Sequence, residues 1–335
     1  MSFRCRPAWI LKLKLRGFLV LGTAIEWWST WTDHAMRKGG PMYVAVATVL
    51  ILFVAFVFFS SVLPEVSSGH NIGHRLAHGC LGAVLLANIL FNYYQCVRTP
   101  PGTTQDCLEA TEMDEEAGLD AGSPRRFCHR CQRAKPPLTH HCHICDKCVL
   151  RMDHHCPWMH NCIGFYNYRF FFLFVFYLWA GSMYAAFMTW LRLNAITDLA
   201  ASQGVVPQHP RRLVFTFVVA TAVAVALTIL LACHLYFVLT AQGTIDVVGN
   251  LSDWWEARQR GERWANLYDL GPKRNFQETF DARGRWWWVT WLLPSVARKQ
   301  GSGATPLTSR SAALQAMPGS HLEHVGLATH VAGSM

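Results

Sequence analysis

The sequence predicts an α-helical polytopic membrane protein with four transmembrane helices and a Cys-rich domain between helices 2 and 3. Hydrophobic residues make up 52% of the 335 residues and come in blocks instead of alternating along the chain. Four blocks reach the length of about 20 residues that crosses a hydrocarbon layer. Seven of the twelve cysteines lie in one window between the second and third blocks, from Cys128 to Cys162.

The positive charges predict how the chain crosses the membrane. The predicted spans are residues 43–63, 76–97, 169–191 and 213–239. Lys and Arg lie mainly before the first span, between the second and third, and after the fourth. The positive-inside rule therefore places the N-terminus, the central loop and the C-terminal region in the cytosol. The net charge of +9 then reflects topology and attraction to anionic membrane lipid, and no nucleic-acid partner is predicted.

The regions outside the spans are predicted to be cytosolic and partly membrane-associated. In the N-terminal region, residues 1–42, apolar and basic residues predict an interfacial amphipathic helix, with a disordered basic leader as the alternative. Gly39-Gly40-Pro41 should break the chain before the first span. The C-terminal region, residues 240–298, contains a Trp-rich segment expected on the membrane face, and residues 299–335 are expected to be disordered. No internal repeat is evident.

The Cys-rich domain, residues 98–168, has the spacing of a metal-binding module. Six cysteines and two histidines supply enough ligands for two tetrahedral zinc sites, and the cytosol disfavours disulfides. An interleaved arrangement assigns Cys128, Cys131, His141 and Cys148 to one zinc ion, and Cys142, Cys145, His155 and Cys162 to the other. Metal binding should supply most of the folding energy of this cytosolic two-zinc domain.

One cysteine of the window, Cys156, is not needed as a ligand. Asp153 and His154 immediately precede it, so a nucleophile, a base and a group that orients the base occur within four residues. Adjacent residues of an extended strand point apart, so the backbone must be bent, and His155 and Pro157 could bend it. An inert zinc-stabilised adaptor is the alternative.

The position of Cys156 favours a substrate that is half lipid. The residue lies about ten positions before the third predicted span, at the cytosolic face. A long-chain acyl-CoA could place its chain in the bilayer and its phosphates among cytosolic cations. Candidate phosphate contacts are Lys135, Arg126 and Lys147, although their charge alone would also keep them in solvent.

The run Asp153-His154-His155-Cys156, inside a Cys-rich domain between spans two and three, resembles the DHHC family of protein S-acyltransferases. The resemblance implies four spans, two structural zinc ions, acylation of Cys156 by palmitoyl-CoA or another long-chain acyl-CoA such as stearoyl-CoA, and transfer to a cysteine of a substrate protein. It implies that His154 is the general base, that Asp153 orients it and that His155 binds zinc. It also implies a multi-pass protein of the endoplasmic reticulum or Golgi whose protein substrates carry juxtamembrane cysteines.

Several positions depart from the family pattern. The family's Thr-Thr-x-Glu after span four is Gly243-Thr244-Ile245-Asp246 here, so the implied contact with Asp153 falls to Thr244 and the acid is shortened. The family's Arg before the His-His-Cys run is Leu138. The Asp of its Asp-Pro-Gly motif is Pro100, and His160 replaces a common Asn.

The C-terminal region adds two further parts of the resemblance. Asn266 and Asn275 match the family motif that packs against the catalytic domain. Tyr94-Gln95 and Leu292-Leu293-Pro294-Ser295 are most similar to the Abl-philin branch of the family.

Gly181 is a candidate determinant of acyl-chain length. It lies about 18 Å below the start of the third span at 1.5 Å per residue, where a missing side chain would leave room for a long chain. Close helix packing is the alternative explanation.

Three functions are compatible with parts of the sequence. An S-acyltransferase explains the ligands and the free cysteine together. A catalytically weak, zinc-scaffolded membrane adaptor would explain the departures at Leu138, Pro100 and Asp246. A membrane-tethered zinc finger for nucleic acid is disfavoured because no basic recognition helix is evident.

Overall fold

The structure, a computed structural model, describes residues 8–107, 127–208, 210–297, 299–301, 303, 304, 306 and 308, with side chains from residue 30 onward. The predicted phosphate contact Arg126 lies outside these residues. So do residues 309–335, which make up most of the tail predicted to be disordered.

Four long helices dominate the described part of the chain. They are α1 (Ala8–Val57), α3 (Ile72–Arg98), α4 (Tyr168–Ser202) and α5 (Arg211–Leu239). A π-helical segment, Phe58–Val62, joins α1 to the short α2 (Leu63–Val66). The segments long and apolar enough to cross a membrane are Thr30–Val66, Ile72–Arg98, Tyr168–Ser202 and Arg211–Leu239. The prediction of four spans is therefore confirmed.

The first span differs from its predicted start, because α1 continues through Gly39-Gly40-Pro41 without a break. Proline and glycine are tolerated in membrane helices when neighbouring groups compensate for the disturbed backbone. A Cβ atom on Gly40 would lie 1.7 Å from His160 Nδ1, so the glycine allows α1 to lie directly against the Cys-rich domain. The signal interpreted as a helix break instead marks a close contact.

The Cys-rich domain consists of three antiparallel β-hairpins. They pair β1 (Phe127–Cys128) with β2 (Arg133–Ala134), β3 (His140–Cys142) with β4 (Lys147–Val149), and β5 (His154–Cys156) with β6 (Asn161–Ile163). An isolated two-stranded hairpin is marginally stable at best in water. These hairpins therefore depend on what cross-links them and on the helices beneath them.

Two asparagines attach the third hairpin to the end of α3. Asn161 Nδ2 donates to the carbonyl oxygens of Cys96 at 3.1 Å and Thr99 at 2.9 Å. Asn167 Nδ2 donates to Cys162 O at 2.8 Å and to Thr99 O at 3.2 Å. The carbonyls at the end of a helix lack partners within it, so these bonds both cap α3 and fix the hairpin above it.

The C-terminal region folds back on the end of α5. It forms α6 (Thr244–Gln259), α7 (Pro272–Phe280) and α8 (Trp287–Thr290). Asn266 Nδ2 donates to Thr240 O at 2.9 Å, and Asn275 Nδ2 donates to Leu239 O at 2.8 Å. Both predicted motif residues therefore bind the free carbonyls at the end of α5, immediately before Thr244.

The described residues of the predicted tail pack on α7 and on the Cys-rich domain. Lys299 Nζ donates to Thr279 O at 3.2 Å, and the Tyr166 hydroxyl donates to Gly301 O at 3.1 Å. Ala304 is buried against the domain. The expected boundary of disorder at residue 299 thus falls within a segment that contacts the folded part of the chain.

Candidate metal centres and active site

The three hairpins are copies of one 14-residue unit. Cys128, Cys142 and Cys156 recur every 14 residues, and each ends the first strand of its hairpin. Their cross-strand partners, Arg133, Lys147 and Asn161, occupy equivalent positions. The turns each contain one residue with positive φ: Gln132 at 53°, Asp146 at 53° and His160 at 47°. The expectation of no internal repeat is therefore wrong, and the regular cysteine spacing was the signal that could have revealed the repeat.

The first metal-binding cluster joins hairpin one to hairpin two. Its members are Cys128, Cys131, His141 and Cys148, whose ligand atoms lie within 4.8 Å of one another. His141 Nδ1 lies 3.3 Å from Cys131 Sγ, 3.6 Å from Cys128 Sγ and 3.9 Å from Cys148 Sγ. The first hairpin supplies both cysteines of its turn, and the second supplies a cross-strand His and Cys pair.

The second cluster repeats this arrangement between hairpins two and three. Its members are Cys142, Cys145, His155 and Cys162. His155 Nδ1 lies 3.3 Å from Cys145 Sγ, 3.8 Å from Cys142 Sγ and 3.5 Å from Cys162 Sγ. The structure brings together the same two groups of four residues that the interleaved arrangement proposes.

Both clusters fit zinc by chemistry and by size. Three sulfurs and one imidazole nitrogen form a common zinc ligand set, and a sulfur and a nitrogen on one tetrahedral zinc ion lie about 3.6 Å apart. The observed Sγ to Nδ1 distances of 3.3–3.9 Å surround that value. A bound ion at each site would cross-link two hairpins that otherwise have little apolar core.

The third hairpin ends the series and leaves its first cysteine outside both clusters. Cys156 occupies the position of Cys142, but Met159 stands where Cys145 would be. After β6 the chain enters α4, so no fourth hairpin follows to supply another His and Cys pair. Cys156 is therefore absent from both clusters, because the repeat stops after it.

Asp153 and His154 form a close pair at the start of β5. His154 Nδ1 lies 2.6 Å from Asp153 Oδ2, and Asp153 is only 2% exposed. The backbone N–H of Thr244 donates to Asp153 Oδ1 at 3.0 Å, and its hydroxyl donates to Asp153 O. The Asp153 N–H donates to Ile163 O at 2.9 Å. The carboxylate is thus held by Thr244 at one oxygen and by His154 at the other, while Thr244 and Ile163 hold the Asp153 backbone.

The paired environment changes the proton affinity of both side chains. Burial lowers the pKa of His154, but hydrogen bonds with Asp153 and Cys156 and the negative charges of both outweigh burial and raise the pKa to about 9. Burial raises the pKa of Asp153. The hydrogen bond with His154 and the charge of His154 lower this pKa by a larger amount, so the net shift is downward. The pair therefore stabilises the imidazolium that forms when His154 accepts a proton, beside an ionised carboxylate.

Cys156 lies at the junction between the domain and the membrane helices. The residue is 7% exposed and belongs to a buried cluster with Tyr93 and Cys96 of α3 and Phe171 of α4. Residues of α1 and α5 pack against the same cluster. The Phe171 ring also contacts the His154 ring edge-to-face, with centroids 5.0 Å apart. A long apolar group attached to Cys156 would therefore meet side chains from all four long helices.

His234 is a buried polar neighbour of the site that was not singled out from the sequence. It lies on α5 and is 3% exposed. Its ring centroid is 6.1 Å from that of His154, and its Nδ1 lies 3.1 Å from the Tyr168 hydroxyl. A histidine inside an otherwise apolar span was the available signal, since such residues are costly there and usually functional.

The shortened acid after the fourth span still makes a contact. Asp246 Oδ2 accepts a hydrogen bond from Gly243 N at 3.1 Å, and Asp246 Oδ1 lies 3.2 Å from His140 Nε2. A Cβ atom on Gly243 would lie 3.2 Å from Asp153 Oδ1, which is a tight contact. Glycine therefore accommodates the close approach of α6 to Asp153, and Thr244 alone provides the hydroxyl.

Of the predicted phosphate contacts, Lys147 has the most defined surroundings. It is exposed on β4 and lines a groove of about 460 Å³ together with Arg37 and Arg98. His155 lines the same groove, and successive strand residues point to opposite faces. Cys156 is not among the residues that line this cationic groove.

The other predicted cofactor contacts lie elsewhere. Lys135 is half-buried just after β2. A Cβ atom on Gly181 would lie 3.6 Å from Ile89 Cδ1, so this glycine of α4 faces α3. Two cations that were not predicted, Arg151 and Lys299, line a small cavity of about 60 Å³ together with Asp153.

Comparisons with known proteins agree with the geometry of the site. The family described as DHHC palmitoyltransferase matches residues 122–250. The Probable protein S-acyltransferase 12 of Arabidopsis thaliana is 30% identical over 278 residues, covering 77% of this chain and 90% of the relative. Palmitoyltransferase ZDHHC16 of Homo sapiens is 28% identical over 297 residues, covering 81% and 76%. ZDHHC16A of Danio rerio is 28% identical over 314 residues, covering 80% and 78%. These ZDHHC16 relatives support the similarity to the Abl-philin branch.

Proposed function

Because the chain belongs to the DHHC palmitoyltransferase family, we propose that it moves a long-chain acyl group from acyl-CoA to protein cysteines through a thioester on Cys156. The chain is a multi-pass membrane protein S-acyltransferase. The observation that carries the proposed route is that Cys156 lies outside both metal-binding clusters. It lies beside the Asp153–His154 pair and is packed among the membrane helices.

The first half of the reaction loads the enzyme. The Cys156 thiol gives its proton to His154, and the resulting thiolate attacks the carbonyl carbon of the acyl-CoA thioester. The bond between that carbon and the CoA sulfur then breaks. The CoA thiolate leaves and takes the proton from His154, so that His154 is neutral again and the acyl group is bound to Cys156.

The second half transfers the acyl group to the protein substrate. A substrate cysteine gives its proton to His154, attacks the acyl-Cys156 carbonyl and forms a new thioester. Cys156 leaves as a thiolate and regains the proton from His154. The two steps exchange one thioester for another and need no additional reactant.

Asp153 and Thr244 position the base in this scheme. The carboxylate accepts from His154 Nδ1 and fixes the imidazole tautomer, so that the other ring nitrogen is available to the thiol. Thr244 holds the carboxylate from the side of α6. Asn266 and Asn275 hold the end of α5 and thereby set the position of Thr244.

The acyl donor is proposed to bind across the membrane surface. Its chain, palmitoyl or stearoyl, would enter the helix bundle next to Cys156, and its CoA phosphates would meet cations of the cytosolic domain. The proposed phosphate contacts remain Lys135, Arg126 and Lys147. Alanine at Lys147, compared with alanine at Lys135, would show which cation lowers the KM for acyl-CoA.

The proposed setting is an internal membrane, the endoplasmic reticulum or Golgi, with both termini in the cytosol. Protein substrates would then carry cysteines near a membrane surface, within reach of Cys156. Two zinc ions, one in each Cys and His cluster, would stabilise the hairpins that hold Asp153 and His154.

The proposed route can be tested with a labelled long-chain acyl-CoA and hydroxylamine, which cleaves thioesters. The zinc-loaded wild-type protein should acquire hydroxylamine-labile label, and the Cys156→Ser variant should acquire none while retaining two zinc ions per chain. Cys96→Ala is a matched control, because Cys96 lies in the same buried cluster and should not be needed. Label that persists in Cys156→Ser but disappears in Cys96→Ala would overturn the assignment.

The adaptor alternative is not favoured. The relatives are named as acyltransferases, and the departures at Leu138, Pro100 and Asp246 leave the Asp153–His154 pair in place. A wild-type protein that holds two zinc ions and takes up no label would restore that alternative.

Gly181 is proposed to set acyl-chain length through the space beside it. It faces Ile89 on the same two helices, α3 and α4, that surround Cys156. Gly181→Phe should therefore shift the preference of the enzyme from stearoyl-CoA and palmitoyl-CoA toward shorter chains, whereas Gly181→Ala should change it little. An unchanged chain-length profile in Gly181→Phe would favour a role in helix packing alone.

A further inference from the structure

Three histidines at four-residue spacing lie at the end of α3 farthest from Cys156, the first of them just before the helix begins. They are His70, His74 and His78, and His74 is about 33 Å from Cys96 along the helix at 1.5 Å per residue. Their rings form a continuous row, with centroids 4.1 Å apart for the first pair and 4.3 Å for the second. We propose that this row binds a divalent transition-metal ion, Zn²⁺ or Cu²⁺, on the membrane face opposite the Cys-rich domain.

The central pair has the geometry of a metal clamp. His74 Nε2 and His78 Nε2 face each other at 3.0 Å. Two nitrogens bound to one tetrahedral zinc ion lie about 3.3 Å apart, so a small side-chain movement would admit the ion. Two histidines at i and i+4 on one helix face form a recurrent zinc-binding arrangement.

The Nδ1 atoms of His70 and His78 have hydrogen-bond partners, which leaves the Nε2 atoms of these residues available. His70 Nδ1 lies 3.2 Å from Ser68 O, and a carbonyl oxygen can only accept, so His70 Nδ1 carries the proton. His78 Nδ1 lies 2.5 Å from the hydroxyl of Tyr184 on α4, which can accept in the same way. Metal-bound histidines usually donate their second ring nitrogen to such a partner.

The local backbone holds the row at the start of α3. Asn71 is the N-cap residue, and its Oδ1 accepts from His74 N at 2.9 Å. The nearby acid Glu65 is already paired, because its carboxylate lies 3.8 Å from Arg192 and also contacts Arg212. The available ligands are therefore imidazoles, which suit zinc and copper and not calcium or magnesium.

This site should release its metal ion more readily than the two thiolate clusters. Two or three imidazoles leave coordination positions for water, so the ion should exchange. It would connect α3, through His78 and Tyr184, to α4. The proposal is independent of the acyl-transfer chemistry, because its residues lie at the other end of the helix.

The test is zinc stoichiometry of the full-length protein. The protein should carry a purification tag without histidine, and all variants should have the Cys156→Ser background so that the Cys156 thiol does not bind zinc. Equilibrium dialysis against rising free zinc, with elemental analysis, should give three zinc ions per chain. His74→Ala and His78→Ala should give two. Arg75→Ala is a control on the same helical turn and should give three.

Tyr184→Phe provides a second variant that keeps every ligand. Loss of the hydroxyl should weaken binding of the third zinc ion by about 10- to 100-fold and leave the stoichiometry at saturation unchanged. Retention of two zinc ions by every variant shows that the Cys-rich domain is still folded. A protein with Cys156→Ser as its only change that saturates at two ions, or a third ion retained in the His74→Ala, His78→Ala double variant, would overturn the proposal.

Discussion

The second and third hairpins of the Cys-rich domain have the same strand register, but the cysteines at the equivalent position have different roles. Cys142 and Cys156 pair with Lys147 and Asn161 in the same register. Cys142 lies within 3.8 Å of the imidazole of His155 and belongs to a metal cluster, whereas Cys156 belongs to none. A thiol is thus left outside the metal clusters where a repeated metal-binding unit lacks its remaining ligands.

The histidines of the two hairpins extend this comparison. In each His-His-Cys run the second histidine, His141 or His155, lies in a metal cluster. The first histidine pairs with a carboxylate instead: His140 Nε2 with Asp246 at 3.2 Å, and His154 Nδ1 with Asp153 at 2.6 Å. Neighbouring strand residues point to opposite faces, so in each run the first histidine faces away from the metal cluster that holds the second.

The largest expected effect comes from removing a shared ligand of the scaffold. His155→Ala should lose zinc from the second cluster and unfold the third hairpin, because the metal supplies most of the stability of so small a unit. The zinc content per chain and the thermal unfolding transition measure this loss.

His154→Ala is the control for that loss, since it changes the adjacent residue on the opposite face. It should retain two zinc ions and a normal unfolding transition while losing acylation. If His155→Ala instead keeps two zinc ions, the division of this run into a metal-binding and a catalytic histidine is wrong.

A smaller effect should follow from restoring the missing thiol of the third hairpin. Met159→Cys recreates the Cys-x2-Cys pair of the second hairpin at Cys156. The two thiols should then bind added Zn²⁺ together, so micromolar zinc should inhibit acylation of the variant and a chelator should restore it. Acylation rates with and without zinc measure this change.

Met159→Leu is the matched control, because it conserves volume at a residue that is 1% exposed and such exchanges usually cost less than about 1.5 kcal/mol. It should be active and insensitive to zinc. Equal zinc sensitivity of the Met159→Cys and wild-type proteins would show that Cys156 is free for a reason other than its missing partner.

The sequence predicts those parts of the site that depend on local spacing. Four apolar blocks define the spans, and Cys-x2-Cys pairs with one histidine each define the ligand sets. Both signals are local in sequence, since a turn, a hairpin or a helix determines them. The 14-residue repeat was equally visible in the spacing of Cys128, Cys142 and Cys156. This repeat explains why the ligands of the two metal-binding clusters interleave along the chain.

The parts that could not be predicted depend on contacts between distant segments. Gly39-Gly40-Pro41 indicates a break only if the helix has no neighbour, but Gly40 lies against His160, 120 positions away in sequence. The contact of Asp246 with His140 likewise joins residues 106 positions apart. His234 lies beside His154 because α5 and the third hairpin meet. No local sequence pattern predicts such long-range contacts.

The smallest expected effect separates the two histidine–carboxylate pairs. Asp246→Ala removes the acceptor of Gly243 N and the partner of His140, which should loosen the start of α6 and shift Thr244. One lost hydrogen bond is worth about 1 kcal/mol, so acylation should slow about fivefold. Asp153→Ala should slow it by more than about a hundredfold, because the general base itself is no longer oriented. Single-turnover acylation rates of the two variants, with zinc content as the check on folding, measure this difference. Equal loss of activity in both variants would mean that His140 and Asp246 belong to the catalytic machinery, and the two hairpins would then differ only in the fate of their cysteine.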